Sequence, residues 1–196
     1  MNFSIKKAVT FVLVFLMVSC TKRDFYLSIQ TKKNLCQGVI LGFINNTQKL
    51  GLEYLLTEAL TVELIKKGYK LKEPTIVKSL LSPEEQIGYY ENPDTGLSAE
   101  VMKRLGNYLD IKWIIGGRIL KAEKVGEYVV LEVLMWIKDT EEGRLIWYGY
   151  YKKDSDAYRT VFHFGKTNNF NSLIGKMVKR DIIRDVVKTL NCEKNV

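Results

Sequence analysis

Between Ile111 and Lys152 three long apolar segments are separated by only two short turns, and this commits the region to an antiparallel meander. Ile111–Lys121 leads through a Val125-Gly126 turn into Tyr128–Ile137, and Asp139–Gly143 turns the chain again into Arg144–Lys152. In the middle segment Val129, Leu131, Val133, Met135 and Ile137 alternate onto one face of a strand. The other face, with Tyr128, Val130, Glu132, Leu134 and Trp136, is only partly polar. The flanking sequence supplies helices to pack on this sheet. Leu52, Leu55, Leu56, Ala59, Leu60 and Leu64 recur at helical spacing until Gly68 stops the run. Ser82-Pro83-Glu84-Glu85 predicts a capped helix start and Ser98 a second, separated by the turn cluster Asn92–Gly96. A last amphipathic helix is predicted over Ser172–Leu190, with Leu173, Met177, Ile183, Val186 and Leu190 inward. Ahead of the first helix, Gly38–Ile44 reads as a buried strand. Tyr69–Thr75, which alternates and contains Pro74, reads as an edge strand or its end. The expected fold class is α/β (α+β): a single domain with a mixed sheet in the order β-α-β-α-β-β-β-α and helices packed on it.

The N-terminus has a separate logic. Lys6 and Lys7 precede an apolar run from Ala8 to Val18, the charged and apolar regions of a secretory signal. The run is shorter than the roughly 20 apolar residues of a membrane-spanning helix. Met17-Val18-Ser19-Cys20 resembles the lipobox of bacterial lipoproteins, with Met17 standing where leucine is usual. The resemblance implies cleavage before Cys20, diacylation of that cysteine, and a protein held to a membrane by its lipid. Thr21, rather than Asp, follows the cysteine; by the sorting rule of Gram-negative lipoproteins this implies the outer membrane, facing the periplasm. In an organism with one membrane the same anchor would sit in the cell membrane. The expected organisation is a signal peptide at 1–19, a polar, basic, lipid-anchored tether at 20–36, and one α/β domain at 37–192.

Once Cys20 is acylated, Cys36 and Cys192 remain. Two cysteines in an oxidising compartment, flanking a whole domain, are either a disulfide or two free thiols. The net charge of +8 is spread along the chain. In the last helix Lys176, Lys179, Arg180, Arg184 and Lys188 interleave with Asp181 and Asp185, as on a solvated face. An exported lipoprotein with scattered basic residues gives no reason to expect nucleic acid.

The opening GVILGFINNTQKLGLEYLLTEALTVELIKKGYKL, an apolar strand ending in Phe-x-Asn and a helix ending in Gly, resembles CsgG-like (curli secretion channel) and TolB-N-terminal-like envelope domains. KRLGNYLDIKWIIGGRI resembles their Leu-Gly segment before an apolar strand, and WIKDTEEGRLIWY their closing hairpin. The likeness runs from about Gly38 to Tyr151. It implies an envelope-assembly or secretion role through protein partners, as in activators of penicillin-binding proteins, and no chemistry. It leaves open a ring or channel subunit, although the short connections here lack the long hairpins of a pore.

The residues themselves offer no catalytic constellation and no cofactor site. His163 is the only histidine, so a His-based triad or zinc site has too few groups. Gly165-Lys166-Thr167 lacks the leading glycine of a phosphate loop, because position 160 is Thr160. Gly116-Gly117 within a strand predicts a bulge or a closely packed helix. What remains is surface. Tyr158, Arg159, Phe162 and Phe164 in the loop Asp154–Asn171, with Trp136 and Trp147 on the sheet, have the composition of interface anchors. The same aromatics could equally cover the core beneath the last helix.

Overall fold

The structure, a computed structural model, describes residues 25–28, 35–159 and 166–192. Six strands form one sheet in the order β1-β6-β5-β4-β2-β3. They are β1 (Phe25–Ser28), β2 (Gln37–Asn45), β3 (Lys70–Lys72), β4 (Trp113–Val125), β5 (Tyr128–Asp139) and β6 (Leu145–Asp154). β2 is parallel to β3 and β4, while the meander β4-β5-β6 and the added β1 are antiparallel. The helices are α1 (Leu52–Lys66), α2 (Pro74–Ser79), α3 (Pro83–Glu91), α4 (Ala99–Leu109), α5 (Phe170–Met177) and α6 (Ile183–Leu190), with a π-helical turn at Val178–Ile182 joining the last two.

The sheet is covered on both faces. On one, α1 presents Leu52, Leu56, Leu60 and Leu64, four residues apart and all buried, and α5–α6 lie beside it. Each such leucine contributes about 1.5–3 kcal/mol of burial. They meet the inward face of β5, where Val129, Leu131, Val133, Met135 and Ile137 are fully buried. On the other face α2, α3 and α4 bury Val77, Tyr89, Val101, Met102 and Leu105 against Val39, Leu41, Ile114 and Trp136. Both helix starts carry the predicted caps. Ser82 and Glu85 form a reciprocal capping box, and Ser98 accepts from the Val101 amide.

Three local features depart from the sequence expectation. Phe25–Ser28, within the stretch read as tether, is a strand on the free edge of β6, Phe25 opposite Tyr150. Pro74 does not end an edge strand; it opens the short helix α2, where a missing N–H costs nothing. The final helix holds its apolar stripe in register through the π turn. Leu173–Met177, Ile182–Val186 and Val186–Leu190 are steps of four, whereas Met177–Ile182 is a step of five, and an i→i+5 turn absorbs the extra residue.

Three indoles pack onto glycines of the sheet. Trp113 lies over Gly38, Trp136 over Gly116 and Trp147 over Gly149, so that a Cβ on any of these glycines would stand 2.2–2.5 Å from the ring. The expected bulge falls at the Gly116-Gly117 pair, with Leu41 and Gly42 of β2 opposite the single residue Gly116; Gly116 is also roofed by an indole, and Gly117 presses on the β5 backbone at Leu134. The Cys36 and Cys192 sulfurs are bonded, with 4.8 Å between the Cα atoms. Around them the Leu35 amide donates to the Leu190 carbonyl, and the Trp113 indole N–H donates to the Leu35 carbonyl at 2.8 Å.

Candidate functional site

A cleft of about 500 Å³ opens at the carboxyl end of β2, lined by Phe43, Asn45, Leu50, Tyr54, Lys78 and Tyr90 among others. Two features of β2 create it. Between Ile40 and Phe43 the register with β4 slips, and Gly42 sits at φ +96, a conformation that side-chain-bearing residues rarely adopt. The Tyr89 hydroxyl on α3 donates to the Gly42 carbonyl at 2.9 Å, and burial holds that phenol well above its usual pKa. The second feature is Asn45, the Asn of the Phe-x-Asn signature. Its Nδ2 donates to the Lys49 carbonyl and to Glu53 Oε2, both at 2.7 Å, while its Oδ1 accepts from the Thr47 amide and hydroxyl. One side chain therefore shapes the loop leading into α1 and ties it to the first helical turn.

That loop holds Leu50 almost fully in solvent, 92 % exposed, with Tyr54 one turn on at 74 %. Across the cleft the Lys78 ammonium stands 5.6 Å from the Tyr90 ring centroid. Exposed aliphatic and aromatic groups beside one lysine can seat an apolar side chain and hold a carboxylate. The cleft offers no nucleophile paired with a base, and its one carboxylate, Glu53, is engaged by Asn45.

A second polar constellation lies where the Asn92–Gly96 turn meets the sheet. Arg118 Nη2 donates to Asp94 Oδ2 at 2.7 Å, and Lys138 Nζ donates to the Asp94 carbonyl at 2.7 Å while sitting 5.0 Å from the Trp136 ring centroid. Burial pushes the Lys138 ammonium below its usual pKa, opposed by Asp94. Beyond it, Leu134, Tyr148 and Tyr150 are half-buried on the same face of the sheet, Tyr148 packing against the core beneath α3 and α4. There Glu132 accepts from the Tyr150 hydroxyl at 2.8 Å and pairs with Lys152 at 2.6 Å. Lys152 and Tyr150 hold the Glu132 carboxyl below its ordinary pKa against the opposing pull of burial.

Two of the residues singled out as partner anchors are placed elsewhere. Trp136 and Trp147 are each 1 % exposed, so neither presents a surface to a partner. The meander alternation turns Trp136 under Tyr89 of α3, with ring centroids 6.4 Å apart, and puts Trp147 in the opposite core beside Tyr151. Tyr158 is also buried: its hydroxyl donates to Asp181 of the π turn, and Arg180 stands 5.6 Å from its ring. Arg159 is at the surface and pairs with Asp156 at 3.5 Å. Cys20, Phe162, His163 and Phe164 lie outside the described residues. Sequence reasoning missed the cleft itself. Its signal was the coincidence of Asn45 with Gly42 and the apolar Leu50 in an otherwise polar loop. No group of three or more metal-ligating side chains occurs among the described residues, and no described helix is long and apolar enough to cross a membrane.

No family profile matches the chain, and no curated protein matches it. Solved structures do. A PelC dodecamer from Paraburkholderia phytofirmans aligns over 87 % of this chain and 99 % of its own, at 10 % identity and a TM-score of 0.51. The chain has the PelC fold. The hypothetical protein CT253 from Chlamydia trachomatis shares it over 80 % of this chain and 98 % of its own, at 13 % identity and a TM-score of 0.52. Lipoprotein GNA1162 from Neisseria meningitidis aligns more loosely, over 78 % of this chain and 98 % of its own, at 12 % identity and a TM-score of 0.47. The mixed sheet with packed helices expected from the sequence is thus a fold shared with PelC and CT253.

Proposed function

We propose that this chain is a periplasmic lipoprotein, anchored through Cys20 to the outer membrane, whose domain binds an envelope protein without catalysing a reaction. The observation that carries the reading is the cleft at the end of β2, where Asn45 holds apolar groups out into solvent instead of folding them away. Two exposed tyrosines, a residue type enriched at protein-binding hot spots, stand beside an exposed leucine here. The lipobox and the Thr21 that follows it support the anchor and its address. The loop bearing Arg159, Phe162 and Phe164 is a second surface in this proposal.

A photo-crosslinking residue placed at Leu50 in cells is expected to give a discrete adduct that Tyr54→Ala diminishes. Both positions are exposed, so the variant should melt with the parent. An adduct unchanged by Tyr54→Ala, or none at Leu50, would remove the cleft from the proposal.

A second reading is a self-assembling ring subunit. It is favoured by the shared fold with PelC, which was solved as a dodecamer. Light scattering on the acylated protein in mild detergent separates the two: a large discrete assembly supports the ring, and a monomer the partner-binding module.

A further inference from the structure

The antiparallel registers fix how far the anchor can reach. β1 pairs Phe25 with Tyr150 and runs antiparallel to β6, so the amino end of β1 faces the Asp154 end of β6. β6 in turn pairs Asp154 with Val130, and β5 pairs Val129 with Lys124. Five residues separate Cys20 from Phe25, and five fully extended residues span at most about 17 Å. The same distance along β6 runs from Tyr150 to Ser155, level with Val129 and Lys124, so Cys20 can reach no farther toward the hairpin than that level. The tip of the β4-β5 hairpin, Val125 to Tyr128, lies beyond that level.

The tip has the chemistry of an interface. Val125 is 78 % exposed and Tyr128 41 %, flanking Gly126 at φ +58. Lys121 and Lys124 stand on the approach, Lys121 paired with Glu123 at 3.1 Å. An aliphatic group at the turn, a tyrosine beside it and lysines whose stems reach back match the side chains that settle at a membrane–water boundary. Acidic Glu123 and Glu127 flank the turn as well, so apolar contact rather than net positive charge is what holds the tip.

We propose that the β4-β5 hairpin tip is a membrane foot: with Cys20 acylated, Val125 and Tyr128 rest in the lipid interface of the anchoring bilayer. This rests on the lipid-anchor reading above. The consequence for the cleft follows from the same registers. β2 ends at Asn45, opposite Ile119, and β4 continues six residues to Val125, about 20 Å at strand rise. The foot therefore holds the cleft about 20 Å off the bilayer and turned toward it, so a partner would enter the space between domain and membrane.

Tryptophan reporters test the contact. The native indoles Trp113, Trp136 and Trp147 are buried and supply a constant background. Val125→Trp, Leu27→Trp and Tyr108→Trp each add one at an exposed position: the tip, the β1 edge and the opposite end of the domain. The full mature protein is placed in phosphatidylethanolamine–phosphatidylglycerol vesicles whose acyl chains carry bromine as a quencher, after its mass has shown the acyl groups. The expected result is loss of most of the added emission for Val125→Trp and none for Tyr108→Trp. An unquenched Val125→Trp, or stronger quenching of Leu27→Trp, overturns the foot, the latter by showing a domain lying on its edge. Protein recovered without acyl chains overturns the anchor, and the foot with it.

Discussion

Replacing both Cys36 and Cys192 by serine opens a loop with a sequence separation of 156. In the chain-entropy treatment, a cross-link closing a loop of that size is worth about 5 kcal/mol at 25 °C, all of it exerted on the unfolded ensemble. The native state has independent reasons to persist. The Leu35 amide still reaches Leu190, the Lys70 amide still reaches Cys36's carbonyl position, and Leu35 stays buried beside Trp113. Against a total stability of about 5–15 kcal/mol for a domain, the loss is a third or more. It lowers the melting temperature by about 10–20 °C for a domain of this size. Urea unfolding followed by tryptophan fluorescence, with and without reductant, reads it directly. The midpoint should fall, and the slope should rise because the released unfolded chain exposes more surface. A midpoint change worth less than about 1 kcal/mol would refute the entropic argument for this bridge.

Other outcomes follow from single contacts. Gly116→Ala should destabilise by about 1–3 kcal/mol or more, because the new Cβ would stand 2.3 Å from the Trp136 ring; thermal melting checks it. Asn45→Ala removes two donor and two acceptor contacts from the loop entering α1. It should cost about 1–2 kcal/mol and speed hydrogen exchange across residues 46–51. Tyr151→Phe strips the hydroxyl that donates to buried Asp185 at 2.9 Å, a loss of about 1–3 kcal/mol visible in urea titration. Glu132 has a folded pKa below its unfolded value. Its contribution is therefore present above the ordinary glutamate pKa of about 4.3 and disappears as pH falls through the folded value. Glu132→Gln should make stability flatter across that acidic window, and an unchanged slope would remove Glu132 from the account.

The meander was legible because its alternation is long and its turns are short. Val129 through Ile137 could satisfy a strand and little else, and their burial follows. The caps at Ser82 and Ser98 were legible for the same local reason: the groups that bond are three residues apart. What escaped depends on contacts distant in sequence. Phe25–Ser28 is short and sits in basic surroundings, and only the free edge of β6 makes it a strand. Trp136 and Trp147 have the composition of interface anchors, and nothing local reveals that Gly116 and Gly149 leave ring-sized recesses for them. The cleft required knowing that Tyr89 would reach back to Gly42, 47 residues away.

The covalent closure between Cys36 and Cys192 also sets an order of events. A chain emerging N-terminus first presents Cys36, then β2, long before the partners of either exist. β2 waits for β4, and the sulfur waits for nearly the last residue of the domain. Non-local pairing of this kind folds slowly, since loop closure precedes the contacts that reward it. β2 thus lacks its longer partner until β4 has been made, with only the three residues of β3 arriving sooner. Cys192 follows the final helix, so the covalent tie to Cys36 forms only after every other element of the domain has been made.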